Sequence, residues 1–266
     1  MEQAKSAATP KKKLYPDINT ITKDDIRGAL KDGLADIRKA GFYSIFFGLF
    51  YAVAGWILLY LVFTFEISIY AYPLTMGFPL IAPFIAAGLY EISRRNARGE
   101  ALDWPGILTS VKNAGGHDLS WMAVITVFAY IIWVDVAAAI YIGFFGLKKM
   151  EVTTLLELIS STPKGMMFFV VGNTVGAILA LIMFSLTSSS FPLLFDRGLD
   201  FVSAMITSVK AVKTNKGPML FWLLTIFVLM FISVVTVFVA LIVVLPLLGH
   251  TTWHVYRRQI ARAETA

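Results

Sequence analysis

Five long apolar runs fill most of this chain: 42–65, 67–90, 119–145, 166–194, and an unbroken stretch from Met219 to about Val255. Each of the first four reaches the roughly 20 residues that a helix needs to cross ~30 Å of hydrocarbon, and the last is long enough to cross twice. In a bilayer the backbone has to satisfy its own polar groups. The alternating pattern of a barrel strand is absent, so the expected fold is all-α, a polytopic transmembrane helix bundle. A content of 58% hydrophobic against 15% charged residues agrees with lipid as the solvent.

The basic residues give the orientation. Nine Lys/Arg precede Gly41, and the loops Arg94 to Lys112 and Arg197 to Lys216 carry four each. The loop Lys148 to Lys164 has three, diluted by Glu151 and Glu157, and the turn at Glu66 has none. Positive residues stay inside, which places the N-terminus in the cytoplasm. The net charge of +6 is thus explained by topology, and no nucleic-acid partner is expected. Arg257, Arg258 and Arg262 face inward only if Met219 to Val255 makes two spans, about 219–236 and 238–256. Six spans are therefore favoured and five remain open, because no Gly, Asn or Pro near Val234 marks a turn. The domain plan is a disordered basic tail (1–20), an amphipathic cytoplasmic helix (21–41), one transmembrane domain (42–258) and a short tail (259–266). The partners implied are the bilayer itself, its anionic headgroups, and a membrane protein complex.

Two blocks recur in the same order. Leu74-Thr-Met-Gly-Phe-Pro-Leu-Ile81 resembles the segment 186–194, and 102–112 resembles 199–210, each Leu-Asp-aromatic segment ending Thr-Ser-Val-Lys. This reads as internal duplication in the same orientation. Asp103 and Asp200 stand at N-cap positions before apolar residues at helical spacing. Interfacial helices are therefore expected over about 103–113 and 200–214, with Trp104 and Phe201 in the acyl boundary and Lys210 on anionic headgroups. Thr22 and Asp25 have capping-box spacing ahead of Ile26, Leu30, Leu34 and Ile37, which predicts a third such helix on the cytoplasmic face. Small residues at four-residue steps, Ser44/Gly48/Ala52 and Gly172/Gly176/Ala180, predict close helix contacts within the chain.

Few groups in the spans can do chemistry. Asp135 is the one ionisable residue well inside a run and is expected to face the bundle, as a transport or proton site or as a carboxyl near the outer interface. Asn173 is expected to bond across helices, or to join Asp135 in a transport or proton site. His250 and His254 project from one helical face and, with His117, are the only imidazoles available to a haem or metal. Spacing alone does not make a ligand set, so no cofactor and no metal is assigned, and interfacial histidines bonded to headgroups or backbone are the alternative. With no cysteine and no nucleophile beside an acid–base pair, the chain is not expected to be an enzyme.

The segments 77–83, 88–95, 191–197 and 207–210, together with Leu245-Pro-Leu-Leu-Gly-His-Thr-Thr-Trp-His-Val-Tyr-Arg-Arg258, resemble a family of bacterial, mainly proteobacterial, integral membrane proteins, a domain of unknown function. The Gly-His-x-x-Trp-His-x-Tyr-Arg block is the most specific part of the resemblance, which implies a bacterial inner-membrane location and no activity. Read physically, the block puts Trp253, Tyr256, Arg257 and Arg258 at a membrane boundary as anchors. Three functions remain in competition: a non-enzymatic accessory, assembly or envelope-organising protein, a transporter of a small or lipidic solute, and a haem- or quinone-associated membrane protein.

Overall fold

The first helix starts by a reciprocal cap. The Thr22 hydroxyl accepts from the Asp25 N–H at 3.2 Å while the Asp25 carboxylate accepts from the Thr22 N–H at 2.7 Å, so two otherwise orphaned donors are satisfied together. The computed structural model describes residues 16–65, 68–114, 117–147 and 150–261. From this cap α1 (Lys23–Ala40) runs to Gly41, whose φ of 56° turns the chain into α2 (Phe42–Phe65). There follow α3 (Ser68–Arg98), α4 (Trp104–Ala114), α5 (His117–Phe145), α6 (Val152–Ser161), α7 (Pro163–Thr187), α8 (Ser190–Arg197), α9 (Phe201–Thr214), α10 (Lys216–Val235) and α11 (Leu241–Gln259). No strand occurs among the described residues, and the fold is all-α as expected. Four stretches, Phe42–Leu61, Asp118–Phe145, Pro163–Arg197 and Lys216–Val235, have the length and apolarity to cross a membrane. Most of the disordered tail expected at the N-terminus lies outside the described residues.

The stretch after Met219 is a helical hairpin. The start of α10 and the end of α11 both meet the segment before α1, since the Ile21 N–H donates to Asn215 Oδ1 at 2.8 Å and Ile18 forms an antiparallel bridge with Ile260. The reversal at 236–240 uses no turn residue of the usual kind: Val237 and Phe238 hold φ of 49° and 66°. Locally the Phe238 N–H donates to the Ser233 carbonyl at 2.7 Å and the Ala240 N–H to Thr236 Oγ1 at 3.1 Å, and tertiary contacts add to these. Trp56 Nε1 donates to the Val237 carbonyl at 2.6 Å, and the Phe238 ring lies where a Cβ on Gly55 would be.

α1 and α2 run as one seam along α11. A Cβ on Gly33 would meet Thr251 Oγ1 at 2.6 Å, and one on Gly48 would fall on the Ile242 carbonyl. The close approach expected from the Ser44/Gly48/Ala52 spacing is therefore an intramolecular contact with α11. The second stripe is looser: Gly176 meets the Trp133 ring, while nothing lies within 4 Å of a Cβ on Gly172.

Packing is uneven along the bundle. The three core clusters draw on α1, the last turns of α3, α4, the first turns of α5, α8, α9 and the ends of α10 and α11 that meet. Away from that end burial falls, and only 6% of the crossing window of α5 and 11% of that of α7 is buried. In hydrocarbon this exposure costs little, because lipid tails are as apolar as the side chains they touch.

Three expectations change here. The helices α1, α4 and α9 do not lie as lipid-facing linkers; they are built into the packed end. On α1 the buried face is Ile26, Ala29, Gly33, Asp36, Ile37 and Ala40, with Leu34 outside, because α11 accepts small residues at close range. On α9 it is Ser203, Ala204, Thr207, Ser208 and Ala211, while Val202 and Ile206 face outward. Of the two recurring Phe-Pro-Leu blocks, the first lies within the continuous α3, and the second follows a break in the helix at Ser188–Ser189, between α7 and α8.

Both Leu-Asp segments open their helices as expected. Asp103 Oδ2 accepts from the Gly106 N–H at 2.7 Å and Asp200 Oδ1 from the Ser203 N–H at 2.9 Å. These bonds hold both carboxyls below the ordinary range. Replacing Asp200 with alanine should lower stability by about 1 kcal/mol, read as a melting shift in detergent that Asp200→Asn largely restores.

Candidate functional site

α1, α3 and α11 meet where each contributes a polar residue to an otherwise apolar seam. Asp36 sits on the buried face of α1, one turn before Ala40, and its Oδ2 accepts from Ser93 Oγ at 2.6 Å and from His254 Nε2 at 2.7 Å. Its Oδ1 accepts from Asn96 Nδ2 at 2.9 Å. The Ser93 hydroxyl has one proton, and Asp36 receives it, so His250 Nδ1, 2.8 Å from Ser93 Oγ, must be the donor in that contact. His250 Nε2 is then an acceptor for the Ser44 hydroxyl at 2.8 Å. The result is one hydrogen-bonded string, His254–Asp36–Ser93–His250–Ser44, with the imidazole tautomer assigned by its neighbours.

Burial by itself would push the Asp36 carboxyl up. The hydrogen bonds from His254 and Ser93, the nearby His250 ring and the Asn96 amide together outweigh it and hold the group below its ordinary value. The inner part of the string is sealed, with Ser44, Ser93 and His250 0% exposed, while the His254 side chain at its other end is 18% exposed. Ser44 and His250 do have the contact of a nucleophile with its base, but with both enclosed the arrangement supports proton movement along hydrogen bonds rather than attack on a substrate. At its edges Arg258 Nη2 meets Asp32 Oδ2 at 2.6 Å and Lys39 Nζ donates to the Asn96 carbonyl at 2.7 Å.

This arrangement corrects the reading of the histidines as interfacial groups bonded to headgroups. They point inward, because the face of α11 that carries them is the one α1 and α3 cover. Trp253 and Tyr256 likewise are not boundary anchors. They are 3% and 1% exposed, with Trp253 stacked on Tyr90 at 5.9 Å and the Tyr256 hydroxyl donating to Asp196 Oδ2 at 2.7 Å. Arg257 reaches Asp196 at 3.4 Å and lies over the Trp253 ring. Trp104 packs on Tyr43 and Phe46, and Phe201 stacks on Trp121, so both are held by protein. Lys210 is exposed.

Asp135 faces outward, against expectation. The α7-facing side of α5 is Trp133, Val136, Ala137 and Ile140, which leaves residue 135 close to the opposite side of the helix. Asn173 also is not cross-helix glue, since its Nδ2 donates to the Phe169 carbonyl of its own helix at 2.7 Å. His117 opens α5, and its side chain lies outside the described residues. Among the described residues no group of three or more His, Asp or Glu side chains is arranged to hold a metal ion.

Sequence reasoning missed Asp36, Ser93 and Asn96. The available signal was the spacing of Ala29, Gly33, Asp36 and Ala40, a seam of small residues with one carboxylate in it.

A helical bundle with lipid-exposed crossing helices and a polar network locked into its basic end defines the class: a multi-pass integral membrane protein. Residues 71–196, from the first turn of α3 to α8, match the family described as predicted integral membrane protein (DUF2189), a domain of unknown function. The matched stretch contains the Gly77–Arg95 segments and Phe191–Asp196; the histidine block of α11 lies beyond it. No curated protein and no solved structure matches the chain.

Proposed function

We propose that this is a non-enzymatic component of a bacterial inner membrane, acting as an accessory, assembly or organising subunit of a membrane protein complex. The observation that carries the reading is Asp135, a carboxylate on the exposed face of α5 among Phe128, Ile132 and Ile142. Such a group costs several kcal/mol in hydrocarbon unless something covers it, and a partner helix offering a donor would do so. The hydrogen-bonded string at α11 supports the same reading, because its polar atoms are engaged with one another. Transport through Asp135 has less support, since that carboxylate points away from α7 instead of lining a path between the helices.

The protein crosses six times with its N-terminus in the cytoplasm. This is supported by the convergence of the chain start, the end of α11 and the basic segments around Arg94, Arg197, Lys216 and Arg258 on one end of the bundle. The matching N-caps of α4 and α9 support internal duplication. Purification from native membranes, with mass spectrometry of proteins, lipids and chromophores, tests the proposal. A membrane protein retained in fixed stoichiometry by the wild type and lost from Asp135→Ala is the expected result. A Soret band in the purified protein, or proton-dependent solute flux abolished by Asp135→Asn, would replace the proposal with one of its competitors.

A further inference from the structure

At the packed end, α3, α4, α5 and α8 border a cavity of about 430 Å³, open on one side, whose lining includes Arg94, Ser110, Asn113, Asp118, Leu119 and Phe195. We infer that this cavity binds a zwitterion carrying a phosphate and a primary amine, the chemistry of an aminophospholipid headgroup. The charges decide against a simple anion. Glu91 takes Arg94 Nη2 at 2.5 Å and Arg95 Nε at 2.8 Å, and Asp103 takes Arg95 Nη1 at 2.7 Å, so two guanidinium groups are balanced by two carboxylates. Asp118 then adds a negative charge to the wall, and the hydrogen bond to it from the Phe201 N–H, at 3.2 Å, engages only Oδ1.

The donors for a phosphate are also present. The Arg94 side chain lines the cavity and is 28% exposed, its guanidinium lies over the Phe195 ring at 5.1 Å, and the Asn113 amide stands on the exposed last turn of α4. The location suits a headgroup: Leu119 begins the crossing stretch of α5, and the basic residues around the cavity belong to the end where lipid phosphates gather. This site does not depend on Asp135 or on any protein partner.

The test uses the full chain in mild detergent with equimolar phosphatidylethanolamine, phosphatidylglycerol and phosphatidylcholine, the retained lipid being read by native mass spectrometry. Phosphatidylethanolamine should be retained over both others. Asp118→Asn keeps an acceptor for the Phe201 N–H but removes the charge, and should weaken that retention by about tenfold, as loss of one charge-assisted hydrogen bond does. Asn113→Ala, on an exposed turn, should weaken it less, and Arg27→Gln, far away on α1, should not change it.

Soluble phosphoethanolamine identifies the source. Displacement of the lipid by it shows that the headgroup alone suffices, and retention of the lipid against it shows that the acyl-bearing molecule is the ligand. Equal retention of phosphatidylglycerol or phosphatidylcholine would overturn the assignment. So would a phosphatidylethanolamine preference that survives in both Asp118→Asn and Asn113→Ala, each melting like the wild type.

Discussion

Asp36→Ala should lower the stability of the detergent-solubilised protein by about 3–5 kcal/mol, the range seen when one partner of a buried ionic contact is removed. The deletion strands four groups at once. His254 Nε2, the Ser93 hydroxyl and Asn96 Nδ2 lose their acceptor, and His250 loses the chain that fixes its tautomer. Asp36→Asn keeps an acceptor oxygen and should lose only about 1–2 kcal/mol. The melting temperature reads both effects, and trypsin reads their location: α1 carries Arg27, Lys31, Arg38 and Lys39, and release of α1 from α11 should make these sites cleavable where the wild type protects them. A Asp36→Ala protein melting like the wild type, with α1 still protected, would mean that the apolar seam alone holds the helix.

The pH dependence has a definite sign. The folded Asp36 carboxyl is held below its ordinary value, so its contribution is fully present above the unfolded carboxylate pKa of about 3.9 and is lost as pH falls through the lower folded value. In Asp36→Asn that part of the acid destabilisation should disappear.

Gly48→Val should be the second large effect. A Cβ there falls on the backbone carbonyl of Ile242, and a backbone atom cannot turn aside as a side-chain tip can, so α2 and α11 must separate. Overpacking of this kind costs about 1–3 kcal/mol or more, and valine should reach the upper part of that range. Gly172→Ala is the informative comparison, since nothing lies within 4 Å of its added Cβ. It should be neutral, or stabilising by up to roughly 1 kcal/mol through helix propensity. Equal melting shifts at the two positions would show that the α2–α11 contact is not the tight one.

Those two glycines also show how far the sequence could be read. Both sit in stripes of small residues at four-residue spacing, and spacing reports only that a helix could be approached closely there. Whether another backbone arrives is decided by the partner: α11 comes to Gly48, while Gly172 lines a cavity between α5 and α7 with Val136, Ile140 and Phe168. The turn at Val237 and Phe238 was illegible for a related reason. It rests on Trp56, far away in sequence, and on room at Gly55, not on a residue with an intrinsic preference for positive φ. The candidate site was half legible. His250 and His254 stood out by spacing, but their partner Asp36 lies 218 positions from His254, on a helix whose leucines and isoleucines suggested a lipid-facing stripe.

Run length, the placement of basic residues, and the capping residues Thr22, Asp25, Asp103 and Asp200 were enough to establish the helical class, membrane residence and the starts of α1, α4 and α9. These depend on local chemistry: hydrocarbon thickness, the cost of an unsatisfied backbone, and the reach of a side chain to its own helix end. Tertiary structure alone decided which faces turn inward. In lipid the apolar pattern that orients a soluble helix loses its force, because an outward leucine and an inward one are solvated almost equally well. Direction is then set by small residues and paired polar groups, which is why Trp253, Tyr256 and both histidines of α11 face protein and Asp135 does not.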